Sequence, residues 1–229
     1  MKIGQRTTQH DQLIDITPGQ HHALLHAAAS HNDQAATGAE LNTLVGGGET
    51  ALHSHAAAGL VLIATLEAAS SADLTITGLD STFDTYLILM SDIVPTTDGA
   101  ILWFRVGDSG GIDSGVTDYS YHSGSSRDSS TSYLASASIG AAQFVLTSAV
   151  GSVAGEGGGG ALWLHRPGDG SIAPLISGTM VAEDSAGVSR GGDVHGRRTA
   201  AIVLDRIQIL FSAGNIASGR LSVYGVNHA

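Results

Sequence analysis

Ala56-Ala57-Ala58-Gly59-Leu60-Val61-Leu62-Ile63-Ala64-Thr65-Leu66 is where this chain changes character. It is the longest uncharged apolar run, about half of what a bilayer span requires, and it ends at Glu67. Before it the chain is rich in His, Gln, Asn, Thr and Ala; after it, β-branched alternating runs are separated by Gly, Ser and Asp. Residues 1–58 therefore read as an anchoring or trimerisation stalk, and residues 59–229 as one all-β domain.

The strands of that second region are short and evenly spaced. Leu60–Leu66 opens them, and Leu74-Thr75-Ile76-Thr77 alternates with a period of two, so that one face points inward. Thr85–Met90, Ile101–Val106, Tyr119–His122, Gln143–Thr147, Ala161–His165, Leu175–Val181, Ala201–Phe211 and Leu221–Val226 follow, bounded by Asp, Gly, Ser or Pro. About ten strands with almost no helical periodicity predict a mainly β fold, a β-sandwich of the jelly-roll kind. Asp98-Gly99 is a turn signal. Gly155–Gly160 and the serine-rich segment Ser123–Ser132 read as flexible loops.

Composition narrows the function classes. Apolar residues make up 42% of the 229, enough for a core, but aromatics supply only 5%. Charged residues are 14%, against about 25% in an average domain, so much surface has to be buried and self-association is the simplest way to do it. The net charge is −11 and Lys2 is the sole lysine, which argues against nucleic acid, since phosphate binding needs clustered Lys and Arg. Arg197-Arg198, the adjacent basic pair, reads as part of a solvated loop. Cysteine is absent, so disulfides and thiolate metal sites are impossible. Met1–Arg6 contains no apolar h-region, and the expectation is a soluble protein made without export and without membrane insertion.

Two short helices are predicted upstream of the break. Thr17-Pro18-Gly19-Gln20 offers a Thr N-cap with Pro at the first helical position, followed by Ala23, Leu24 and Ala27 on one face. Thr37-Gly38-Ala39-Glu40 fits a capping box, and Leu41, Leu44 and Val45 then form an apolar stripe before Gly46. A helix of about nine residues is not stable alone in water; three copies packing their stripes about an axis would cover it. Seven of the eleven histidines fall within residues 1–55. In an extended chain His53 and His55 share a side. They are either hydrogen-bonded to solvent or, if three copies run parallel, six imidazoles facing one transition-metal ion on the axis.

Other motifs have plainer readings. Gly107-Asp108-Ser109-Gly110-Gly111 matches the string around a trypsin-like nucleophile, but too little chain precedes it for a first barrel, so it reads as a glycine-punctuated turn. Gly155-Glu156-Gly157-Gly158-Gly159-Gly160 formally fits G-x-G-x-x-G, yet a strand rather than a helix follows. Glu183 and Asp184 are adjacent and point apart on a strand. His122, His165, His195 and His228 are scattered and read as surface or loop residues. Trp103, Phe104, Tyr119, Tyr121, Tyr133, Trp163 and Tyr224 lie on or beside strands and read mostly as core; any facing solvent near the serine-rich segment are candidates for stacking on sugars.

Three stretches resemble bacteriophage tail-fibre and head-fibre proteins. Thr37-Gly38-Ala39-Glu40-Leu41-Asn42-Thr43-Leu44 is similar to the T-x-x-E-L-N-x-L helix near the start of phage appendage proteins. His53-Ser54-His55 is similar to the H-x-H motif of trimeric phage fibres, in which threefold-related histidines bind metal. Phe83–Leu89 with Val94–Ala100, and the ending Ser218–Gly225, resemble an all-β domain of phage structural proteins. A single H-x-H, where long fibres repeat it, favours a short appendage. The resemblance implies a homotrimeric virion structural protein assembled in the host cytoplasm: a fibre, spike or head decoration. It would bind capsid, tail or baseplate proteins through its N-terminus and host surface polysaccharide through its β domain. The rival expectation is a tailspike-like hydrolase of that polysaccharide, which needs a carboxylate pair in a groove. A third is an architectural cap with no ligand.

Overall fold

A computed structural model describes residues 38–45 and 59–227. The chain divides into two units after Ala56, each taken by itself. In the first, helix α1 (Gly38–Val45) begins one residue after Thr37, the predicted cap. The Thr43 hydroxyl donates to Ala39 O within it at 2.9 Å. Leu41 and Leu44 lie on this helix, and Val45 at its end is 90% exposed. The predicted helix from Thr17, and His53 and His55, lie outside the described residues.

The second unit is all β. Its strands are β1 (Gly59–Glu67), β2 (Asp73–Thr77), β3 (Thr85–Pro95), β4 (Leu102–Asp108), β5 (Gly111–Ile112), β6 (Tyr119–Arg127), β7 (Ser130–Ala141), β8 (Phe144–Val145), β9 (Gly157–His165), β10 (Leu175–Glu183), β11 (Ser189–Arg198), β12 (Arg206–Phe211) and β13 (Ile216–Asn227). An eight-stranded sheet runs β1-β13-β3-β9-β10-β11-β6-β7, and a five-stranded sheet contains β2-β12-β4-β5 with β8 on β4. Every strand pairing is antiparallel.

One core takes side chains from both sheets. The larger sheet supplies Tyr86, Ile88, Leu162, Leu164, Ile176, Val194, Leu221 and Val223; the smaller supplies Ile76, Leu102, Phe104, Ile207 and Ile209. Each alternates with a more exposed neighbour, as the two-residue period requires. Phe144 fills the middle, edge-on to Tyr119 at 5.0 Å between ring centres and tilted against Phe104 at 6.0 Å. Burying one such leucine or phenylalanine side chain stabilises the fold by about 1.5–3 kcal/mol.

Three expected irregular segments are strands instead. Gly157–Gly160 begins β9, paired to β10 on one side and β3 on the other. These glycines allow close backbone approach rather than flexibility. A Cβ on Gly160 would lie 2.2 Å from Thr179 O, and one on Gly159 would lie 2.7 Å from Met90 O. Ser123–Ser132 is a hairpin, the end of β6 turning at Asp128-Ser129 into β7. Arg197-Arg198 ends β11 rather than lying in a loop, with Arg197 paired to Leu175 on β10. Serine and glycine have low strand preference on their own, but here β6, β9 and β11 are laddered on both sides, and edge strand β7 on the side that faces β6. Conversely, Ala201–Asp205 is not strand, and the run expected over Gln143–Thr147 pairs only at β8. The turn at Thr97-Asp98-Gly99-Ala100 is as expected, closed by the Ala100 N–H on Thr97 O.

Candidate functional site

The outward face of the larger sheet carries the side chains the core leaves out. The pairing register sets a row across it: Leu62, Tyr224, Leu87, Trp163, Ser177, His195, His122 and Ala137 stand opposite one another from β1 to β7. The row is apolar and aromatic at the β1 side and polar toward β7. Trp163 is 38% exposed, and beside it His165 Nε2 lies 3.2 Å from Ser177 Oγ.

At the polar end an open groove of about 740 Å³ lies over β6, β7, β10 and β11. Ser120, Tyr121, His122, Ser138, His195 and Arg197 line it together with Leu175 and Ile139. Hydroxyl, imidazole and guanidinium groups therefore converge on a partly apolar floor, which suits a neutral polyhydroxylated ligand.

The groove's two histidines share a carboxylate. His195 is two residues from Asp193 on β11, so both point outward, and the β11–β6 register sets His122 against His195. The imidazoles stack at 4.9 Å between centres with 24° between planes. Asp193 Oδ2 is 3.3 Å from His195 Nδ1 and 3.9 Å from His122 Nδ1. The latter exceeds a hydrogen bond, and His122 Nδ1 is shielded from solvent without a hydrogen-bond partner. Tyr133 reaches over Gly124, which has no side chain to obstruct it, and donates to Asp193 Oδ1 at 2.5 Å. That bond is the main reason the Asp193 carboxyl sits below its ordinary range; the two histidines add to it, while burial opposes it. The same bond raises the Tyr133 hydroxyl.

Asp184 and Arg198 hold structural ion pairs. Asp184 is 2% exposed, and burial alone would raise its carboxyl. Amide donors from Ala186 at 2.9 Å and Val188 at 3.0 Å, with Arg190 Nε at 2.6 Å, outweigh burial and lower it. Arg198 points inward to Asp113 Oδ2 at 2.7 Å and Asp118 Oδ1 at 3.2 Å. Ser109 is exposed at the tip of the two-residue hairpin joining β4 and β5, where Asp108 accepts from the Gly110 N–H at 2.7 Å. The string around it is the turn that was expected.

Sequence reasoning scattered His122 and His195 over the surface; the fold brings them together. The spacing Asp193-Val194-His195 was the available signal, since it obeys the same period-two rule that picked out His53 and His55. The sugar-stacking criterion is met by Tyr133, 56% exposed and rising from the serine-rich hairpin, whereas Phe104 and Tyr119 are fully buried. No helix among the described residues is long and apolar enough to cross a membrane. No protein-family model, curated protein or solved structure matches this chain.

Proposed function

We propose that this chain is a virion structural protein of a phage-like particle, a homotrimeric fibre, spike or head decoration whose β domain adheres to host surface glycan. The observation that carries the adhesion reading is the open groove, with its serine, histidine and arginine donors, on the same sheet face as the exposed rings of Tyr133 and Trp163. Sugars are held by that combination, hydroxyl hydrogen bonds at their edges and an aromatic surface under their faces. An exposed site of this kind binds weakly, with millimolar affinity as a working figure, and becomes effective when three copies and several fibres engage together.

The stalk reading is supported by α1, whose exposed Val45 follows Leu41 and Leu44 on a helix too short to persist alone. Three copies packing these residues about an axis would supply the missing contacts. His53 and His55 would then face that axis and hold a transition-metal ion, and the segment before them would dock to capsid, tail or baseplate.

A general acid for glycan hydrolysis needs a carboxyl shifted upward. The perturbed carboxylates among the described residues, Asp80, Asp169, Asp184 and Asp193, all shift downward. This favours binding over cleavage. Sedimentation of the full chain tests the assembly: a trimer is expected, and a monomer overturns it. A panel of host surface polysaccharides tests the ligand. Retention weakened by Tyr133→Ala and Trp163→Ala is expected; release of new reducing ends would instead establish the hydrolase, and no retention at all the architectural cap.

A further inference from the structure

We infer that His122, Asp193 and His195 form a binding site for a first-row divalent transition metal, with Zn²⁺ the best-fitting ion, at the rim of the outer groove. This goes beyond the adhesion reading and does not rest on it. A tetrahedral Zn²⁺ with bonds of about 2.0–2.1 Å spaces its ligand atoms about 3.3 Å apart. The His195 Nδ1 to Asp193 Oδ2 separation is already 3.3 Å, and His122 Nδ1 stands 3.9 Å from the same oxygen. All three donor atoms lie within 4.8 Å of one another, so side-chain rotations that turn the two stacked rings toward a common point complete the set.

Two further features fit a metal better than an ordinary ion pair. His122 Nδ1 is withdrawn from solvent yet has no hydrogen-bond partner, and a lone pair held that way costs free energy unless something accepts it. Asp193 is held from its far oxygen by Tyr133. That is the outer-shell arrangement that orients a ligating carboxylate, and it makes Tyr133 a positioning residue. Two neutral imidazoles and one carboxylate are the borderline donors that Zn²⁺ prefers over Mg²⁺ or Ca²⁺. Three protein ligands leave a fourth position for water or an oxygen of a groove occupant.

The test uses the full chain carrying His53→Ala and His55→Ala, so that the tether pair contributes nothing, after chelator treatment and without glycan. Calorimetric titration with Zn²⁺ is expected to give one site per chain, weakened at least 10-fold by Asp193→Asn or His195→Ala and about 10-fold by Tyr133→Phe. Equal affinity in the parent and these variants would overturn the site. The unsubstituted ligand set supplies an independent readout in that same parent. Zn²⁺ is expected to shift the nitrogen resonances of His122 and His195 in NMR while leaving His165 in place, and shifts absent from the first two would also overturn it. Ca²⁺ at equal concentration is expected to produce neither signal.

Discussion

Leu162 and Trp163 are neighbours on β9, yet they live in different chemistry. Leu162 is fully buried between the sheets, while Trp163 stands 38% exposed on the outer face. The same contrast repeats along β11, where Val194 is buried between outward Asp193 and His195. The inner face is filled to exclusion, with glycines where even a methyl group would collide with a neighbouring backbone. The outer face carries polar and aromatic groups whose neighbours leave them accessible. Core and outer face are thus separated by one residue of sequence, so substitutions a single position apart are expected to have opposite signatures.

The sharpest break in that contrast is Leu162→Ala, expected to cost about 2–5 kcal/mol because a rigid core cannot collapse onto the cavity. Chemical denaturation measures it, and glycan or metal binding by the folded fraction should be unchanged. Next is Asp184→Ala, expected to cost about 3 kcal/mol because Arg190 and two amides lose their acceptor in a buried place. The pH dependence follows in sign. The folded carboxyl lies below its ordinary value, so its contribution is full above about pH 4 and lost as pH falls through the folded value. Denaturation midpoints from pH 7 down to 3 should fall less steeply in the variant.

Tyr119→Phe is a smaller test of the inner side, expected to cost about 1–3 kcal/mol. The phenol oxygen accepts from the Val106 N–H at 3.0 Å, and its proton goes to Asp113 O at 2.8 Å or back to Val106 O. Burial first, then the nearby carboxylates, raise this hydroxyl far above its ordinary value, against the lowering effect of the Val106 bond. The stability it contributes is therefore full below about pH 10 and lost as pH rises above it, which alkaline melting of wild type and variant would reveal. The smallest effect is Trp163→Ser, expected to change stability by about 1 kcal/mol or less while weakening polysaccharide retention. A loss matching Leu162→Ala would erase the distinction between the faces.

Part of this was legible in the primary structure. Alternation in Leu74-Thr75-Ile76-Thr77 and the apolar run from Leu60 marked β2 and β1 correctly, and Thr37 with the following stripe marked α1. The readings that failed were the loops expected at Gly155–Gly160, where Gly157–Gly160 is strand, at Ser123–Ser132 and at Arg197-Arg198, and β11 (Ser189–Arg198) as a whole went unmarked. There the strand exists because neighbouring strands complete its ladder, a non-local cause for β9 and β11 that no window of sequence contains. The candidate site failed for the same reason: His122 and His195 are 73 positions apart (195 − 122) and meet only through the β6–β11 register.

Local chemistry by itself determined that this chain is mainly β, that a strand runs from near residue 59, and that thiol chemistry is impossible. Those properties depend on period, composition and charge, which each segment carries with it. Tertiary structure alone decided which face became core, which serines and glycines became strand, and which two imidazoles share Asp193. Strand registers are set by the packing of the whole core, because a slip of one residue would turn every inward side chain out to water.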